Sequence, residues 1–155
     1  IGRMLMEMGK KMNFSQKQLE EVALYNEASD IGMVTIPYKI LHKESKLNTK
    51  EWDIVKKHPE IGYRIAVSIK KFMPIAEYIL YHHERWDGKG YPHKLKGEEI
   101  PLISRMVAIV EAYDSMTTDR EYRKAMSKEE AILEITKCAG TQFDPKLIEV
   151  FKNVI

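Results

Sequence analysis

The chain has a single cysteine, Cys138, among 155 residues. An internal disulfide is therefore excluded, and this usage fits a reducing, cytoplasmic compartment. A surplus of one charge sign is also missing, since 25 Lys and Arg stand against 23 Asp and Glu. A formal net charge of +2 is not the electrostatic footprint of a nucleic-acid binder, so no DNA partner is expected. No apolar run approaches the ~18–20 residues that span a bilayer, and no signal-peptide pattern is visible, so no membrane contact is expected. Repeats, low-complexity tracts and long linkers are absent as well. Period-two alternation is never sustained, which argues against strands.

What remains is helical periodicity in a chain long enough for one domain that buries roughly 70% of its unfolded surface. Residues 2–13 form an amphipathic segment in which Met4, Leu5, Met8 and Met12 already show helical spacing. The expectation is a single domain over 1–155, a fragment of a longer polypeptide that begins inside a helix. Ser15 with Gln18 forms a capping box ahead of a stripe of Leu19, Val22 and Ala23. Asn48 or Thr49 caps a helix carrying Trp52 and Val55. Pro59 suits a first helical turn, with Ile61 and Ile65 inward. Pro74 opens a segment that sets Ala76, Ile79, Leu80 and His83 on one face. Residues 87–101 hold Gly88, Gly90, Pro92, Gly97 and Pro101 and read as an ordered loop. Residues 102–116 read as a long, mostly buried helix. Ser127 with Glu130 caps 128–138, and Asp144-Pro145 starts the last helix. The fold class is all-α, a helical bundle.

The chemistry concentrates in five histidines, His42, His58, His82, His83 and His93, and in the acids Asp30, Glu111 and Asp114. Adjacent helical residues point about 100° apart. His82 and His83 can therefore share a metal only near a helix end or bend. Taken alone, His83 reads as a core histidine and His58 as a helix-start residue. His42 and His93 lie in polar surroundings and read as surface. Glu111 and Asp114 are three apart on one helix face. Their plain reading is an exposed edge paired with Arg or Lys.

The string H-H-E-R-W-D-G-K-G-Y-P at 82–92 resembles the signature of HD-GYP domains nearly letter for letter. Supporting strings are D-I-G-M-V-T-I-P-Y-K-I-L at 30–41, K-H-P-E-I-G at 57–62, E-A-Y-D-S-M-T-T-D-R-E-Y-R at 111–123 and G-T-Q-F-D-P at 140–145. The resemblance covers essentially the whole chain. It implies an HD-domain-type helical bundle with an ordered Gly-Tyr-Pro loop, acting on cyclic di-GMP as a metal-dependent phosphodiesterase. It implies that Asp30 is the metal-bridging, catalytic aspartate and that His58, His82 and His83 complete one metal's ligands, with Glu111 on a second. Iron or manganese, one or two ions, is the implied cofactor; three imidazoles and a carboxylate suit such a divalent ion. Tyr91, Asp114, Arg120 and Arg123 fall at substrate-contacting positions.

Three positions depart from the family pattern. Ser29 stands where the family has a histidine, Met33 where it often has a phosphate-contacting lysine, and Glu111 where it usually has aspartate. A further family ligand, from an upstream helix, falls before Ile1. These departures support a second reading, a catalytically inactive regulatory module that binds cyclic di-GMP, or a signalling protein through the Gly-Tyr-Pro loop.

Overall fold

A computed structural model describes residues 1–119 and 124–155. Among them lie nine α-helices and no strand. The order is α1 (Gly2–Lys11), α2 (Gln16–Ala28), α3 (Tyr38–Leu41), α4 (Thr49–Val55), α5 (His58–Ser68), α6 (Ala76–Tyr81), α7 (Leu102–Thr117), α8 (Lys128–Lys137) and α9 (Pro145–Lys152). Short 3₁₀ turns occupy Ile31–Thr35, Met73–Ile75 and Gly97–Glu99. No helix among the described residues is long and apolar enough to cross a membrane.

Local chemistry sets most helix starts. Ser15 accepts the Gln18 N–H while Gln18 reaches back to the Ser15 amide, and the same reciprocal box forms at Asn48/Glu51 and Ser127/Glu130. Asp144 caps α9 through the Lys146 amide, with Pro145 in the first turn. The core gathers on α7, whose Ile103, Met106, Val107, Ile109, Val110 and Tyr113 are buried. Against it pack α1, α6, α8 and α9, and α1 in turn packs on α2.

Some inward-facing residues differ from expectation. Ala23 is exposed, and α2 instead buries Val22, Tyr25 and Ala28. On α5, Ile61 and Ile65 are only half-buried, while His58, Gly62 and Ala66 face inward. The reason is a close approach of backbones. A Cβ on Gly32 would run into the His58 carbonyl oxygen and lie 2.8 Å from the Gly62 amide nitrogen. Two glycines thus let the turn Ile31–Thr35 lie directly on α5, which carries Asp30 toward His58.

Candidate metal centre

Helix α6 ends at Tyr81, and His82 is its C-cap. The helix end supplies the turn that two neighbouring histidines need to converge. His58, in the first turn of α5, completes the group; the three rings place nitrogens within 4.8 Å of one another. His58 Nε2 lies 3.3 Å from His82 Nε2 and 3.2 Å from His83 Nε2.

The outer nitrogens fix the tautomers. His58 Nδ1 lies 2.7 Å from the Val55 carbonyl oxygen, and His82 Nδ1 lies 2.6 Å from that of Ile79. A carbonyl only accepts, so each Nδ1 is assigned the proton and each Nε2 presents a lone pair. A proton on His83 would serve one of the two inner contacts and leave the other with lone pair facing lone pair. A divalent cation serves all three. Ligand atoms bonded to a metal at about 2.0–2.1 Å stand about 3.0–3.4 Å apart along a coordination edge. The observed separations fall in that range, and the backbone carbonyls orient the rings as metal-binding histidines are usually oriented. Burial lowers the pKa of all three, His82 to about 4 and His83 to about 2. At pH 7 they are neutral, the form a metal takes without displacing a proton. The donor set fits the implied ion.

His82 and His83 border a cleft of about 580 Å³ whose walls include Ser29, Asp30, Trp52, Tyr91, Glu111 and Asp114, and His58 lies behind them. Asp30 is exposed to it, and its charge acts on both His58 and Glu111. Glu111 departs from the plain reading, because its partner is a tyrosine and not a base. The buried Tyr25 hydroxyl donates to Glu111 Oε1 at 3.3 Å. Burial, then the Asp30 charge, pushes the Glu111 carboxyl up to about 7. Two carboxylates converging beside three neutral imidazoles attract a cation.

The loop after His83 is tied at both ends. Glu84, only 3% exposed, accepts the His93 N–H at 2.7 Å. Arg85 grips both oxygens of Asp87 at 3.1 and 2.9 Å and also donates to Gln142. Asp87 in turn accepts the Lys89 amide, and its own amide donates to the Thr141 carbonyl. Gly88 takes a left-handed φ of 77°, whereas Gly90 does not. Gly90 is needed for closeness instead, since a Cβ there would sit 2.6 Å from the His83 carbonyl oxygen. This fold-back stacks the Tyr91 ring on His83 at 5.0 Å between centroids, and burial pushes the Tyr91 phenol up to about 12.

The structure therefore brings together Asp30, His58, His82, His83, Tyr91, Glu111 and Asp114. Arg120 and Arg123 lie outside the described residues. His42 and His93 are exposed. Met33 does not border the cleft, whereas Ser29 does. Sequence reasoning overlooked four residues. Tyr25 is a buried aromatic with no local signal for its partner. Glu84 and Lys89 stand inside the motif with no role of their own in it, and Trp52 is placed on a helix by its spacing with nothing to link it to a cleft.

The fold and the cleft define an all-helical protein with a histidine cluster able to hold a metal ion. A family model described as HD domain matches residues 1–147. A 3'3'-cGAMP-specific phosphodiesterase 2 of Vibrio cholerae is 41% identical over 123 residues, covering 78% of this chain and 24% of that protein. A cyclic di-GMP phosphodiesterase of Thermotoga maritima is 36% identical over 155 residues, covering 97% of this chain and 42% of that protein. Among solved structures, a cyclic GMP-AMP specific phosphodiesterase of V. cholerae superposes with a TM-score of 0.76 at 23% identity, over 98% of this chain and 42% of that one. An HDG"Y"P protein of Bdellovibrio bacteriovorus gives 0.72 at 18% identity, over 99% and 50% of the two chains. At such identities the structural likeness speaks for the fold alone. The chain belongs to the HD domain family and, within it, to the HD-GYP type. It spans 24% to 42% of the length of the two curated relatives above.

Proposed function

We propose that this domain is a metal-dependent phosphodiesterase acting on cyclic di-GMP. The observation that carries the reading is the Nε2 cluster of His58, His82 and His83, two of its rings oriented by backbone carbonyls, beneath a cleft that Asp30 and Glu111 share. His58, His82, His83 and Asp30 would hold one ion, and Asp30 with Glu111 would reach a second. When bound, such an ion supplies a Lewis acid and a water that ionises near neutral pH. Iron or manganese suits this mixed imidazole and carboxylate set.

The chain's own groups supply the rest. Tyr91, protonated at neutral pH, presents a phenolic donor to the cleft. Lys89 borders the cleft, whereas Arg85 is engaged by Asp87 and Gln142. We assign Lys89 to a phosphate, the role that Met33 cannot fill. Asp114 and, by motif, Arg120 and Arg123 would contact the nucleotide.

The test is metal content by elemental analysis beside hydrolysis of cyclic di-GMP and 3'3'-cGAMP with added Fe²⁺ or Mn²⁺. Linear dinucleotide or GMP from cyclic di-GMP, with metal bound, is the expected result. One observation favours the inactive regulatory module: Ser29, and no imidazole, stands at the cleft beside Asp30. If metal-loaded protein yields no product, and Ser29→His with Met33→Lys restores none, the domain is a binding module and the enzyme reading fails.

A further inference from the structure

Tryptophan carries a large apolar surface, and at 46% exposure Trp52 leaves much of it in water. It stands on α4, a helix with no buried residue. Core packing therefore does not explain why Trp52 is where it is. A polar brace does. Asn48 and Glu51 cap the helix reciprocally, and Lys43 Nζ binds both Glu51 oxygens at 2.8 and 2.6 Å. The Trp52 amide itself donates to the Asn48 carbonyl at 2.9 Å, so the braced turn seats this residue directly.

The indole borders the same cleft as Asp30, His83 and Tyr91. Its rings have no aromatic or cationic neighbour stacked on them among the described residues. The other aromatics nearby are already covered. Tyr91 lies on His83 with planes 27° apart, and Trp86 lies under the Arg105 guanidinium at 5.7 Å. The cleft is also rich in carboxylates, with Asp30, Glu84, Glu111 and Asp114 along it. An anionic ligand entering such a cleft gains from a contact that needs no charge. An open aromatic face provides one for a planar heterocycle.

We propose that Trp52 is the base-binding wall of this cleft, stacking one purine of the nucleotide whose phosphodiester meets the histidine floor. The proposal rests on the cleft being a phosphodiester site and adds the specificity element for a nucleobase. It is tested on the metal-loaded chain by tryptophan fluorescence and binding. The chain has two tryptophans, so Trp52→Phe isolates the Trp86 signal. GMP should quench the wild-type emission, ribose 5-phosphate should not, and Trp52→Phe should lose the quench while still binding cyclic di-GMP. Trp52→Ala should weaken cyclic di-GMP about 5- to 150-fold, the span of one base–aromatic stack, with metal content unchanged. Equal affinity of Trp52→Ala and wild type, or equal quenching by ribose 5-phosphate, would overturn the proposal. Binding and Trp52-dependent quenching without any hydrolysis would keep the stacking wall and remove the enzyme reading. Absence of any nucleotide binding by loaded wild type would overturn both.

Discussion

The floor of the cleft and its outer wall are built by opposite means. On the floor, His58 and His82 are buried and each is pinned to a backbone carbonyl one turn upstream. Their positions follow from the packing of α5 on α6 and on the turn Ile31–Thr35. On the wall, α4 buries nothing and the loop 84–91 is held by ion pairs and amide contacts, Lys43–Glu51 and Arg85–Asp87. A metal needs donors fixed to within a fraction of an ångström, and burial provides that. A ligand must enter and leave, and charge-braced segments near water open at lower cost than a packed core. The difference teaches which half of the site tolerates change.

The largest effect should come from breaking the floor. His83 is the least buried of the three histidines, so His83→Ala removes a donor with little harm to folding. Metal affinity should fall by more than about 100-fold, beyond the loss seen for outer-shell partners. The check is a melting curve with and without Mn²⁺. Added metal should raise the wild-type Tm and leave the variant's unmoved, since only a ligand that binds the native state stabilises it. A variant stabilised as much as wild type would mean that the metal sits elsewhere.

The same contrast explains what could be read without coordinates. The capping boxes at Ser15 and Ser127 and the Asp144-Pro145 start are local devices, complete within four residues, and formed as expected, and of the two caps offered for α4 the structure takes Asn48. His82-His83 was legible because adjacent ligands require a helix end. Contacts between distant segments were not. The Tyr25–Glu111 hydrogen bond spans 86 residues, and the pairing of Gly32 with Gly62 turned α5 so that Ile61 and Ile65 lost the inward face. The place of Trp52 on a helix was legible from spacing, but its place at the cleft was not, because the other cleft walls come from distant segments.

Gly32→Ala tests whether the floor depends on that glycine contact. The added methyl meets the His58 carbonyl oxygen and the Gly62 amide, both backbone, and neither can swing aside. Overpacking of this kind destabilises by about 1–3 kcal/mol. The turn must lift from α5, taking Asp30 with it, so metal affinity should fall together with Tm. Lowered Tm with intact metal binding would show that Asp30 does not need this seat.

The smallest effect belongs to the wall, and pH separates it from the floor. The Arg85 guanidinium holds the Asp87 carboxyl down at about 2, below its ordinary 3.8. A depressed carboxylate stabilises the fold fully above the ordinary value and loses that contribution as pH falls through about 2. Both side chains keep some solvent contact, at 33% and 16% exposure, so the pair contributes no more than about 1 kcal/mol. Asp87→Asn removes the charge while its amide oxygen can still accept the Lys89 N–H that Asp87 holds at 3.1 Å. The variant should therefore be slightly less stable than wild type at pH 7, and the two melting curves should converge between pH 4 and 2. A gap that persists at pH 2 would show that the carboxylate's shape and hydrogen bonds, and not its charge, brace the loop. The wall would then resemble the floor, held by geometry that acid does not release.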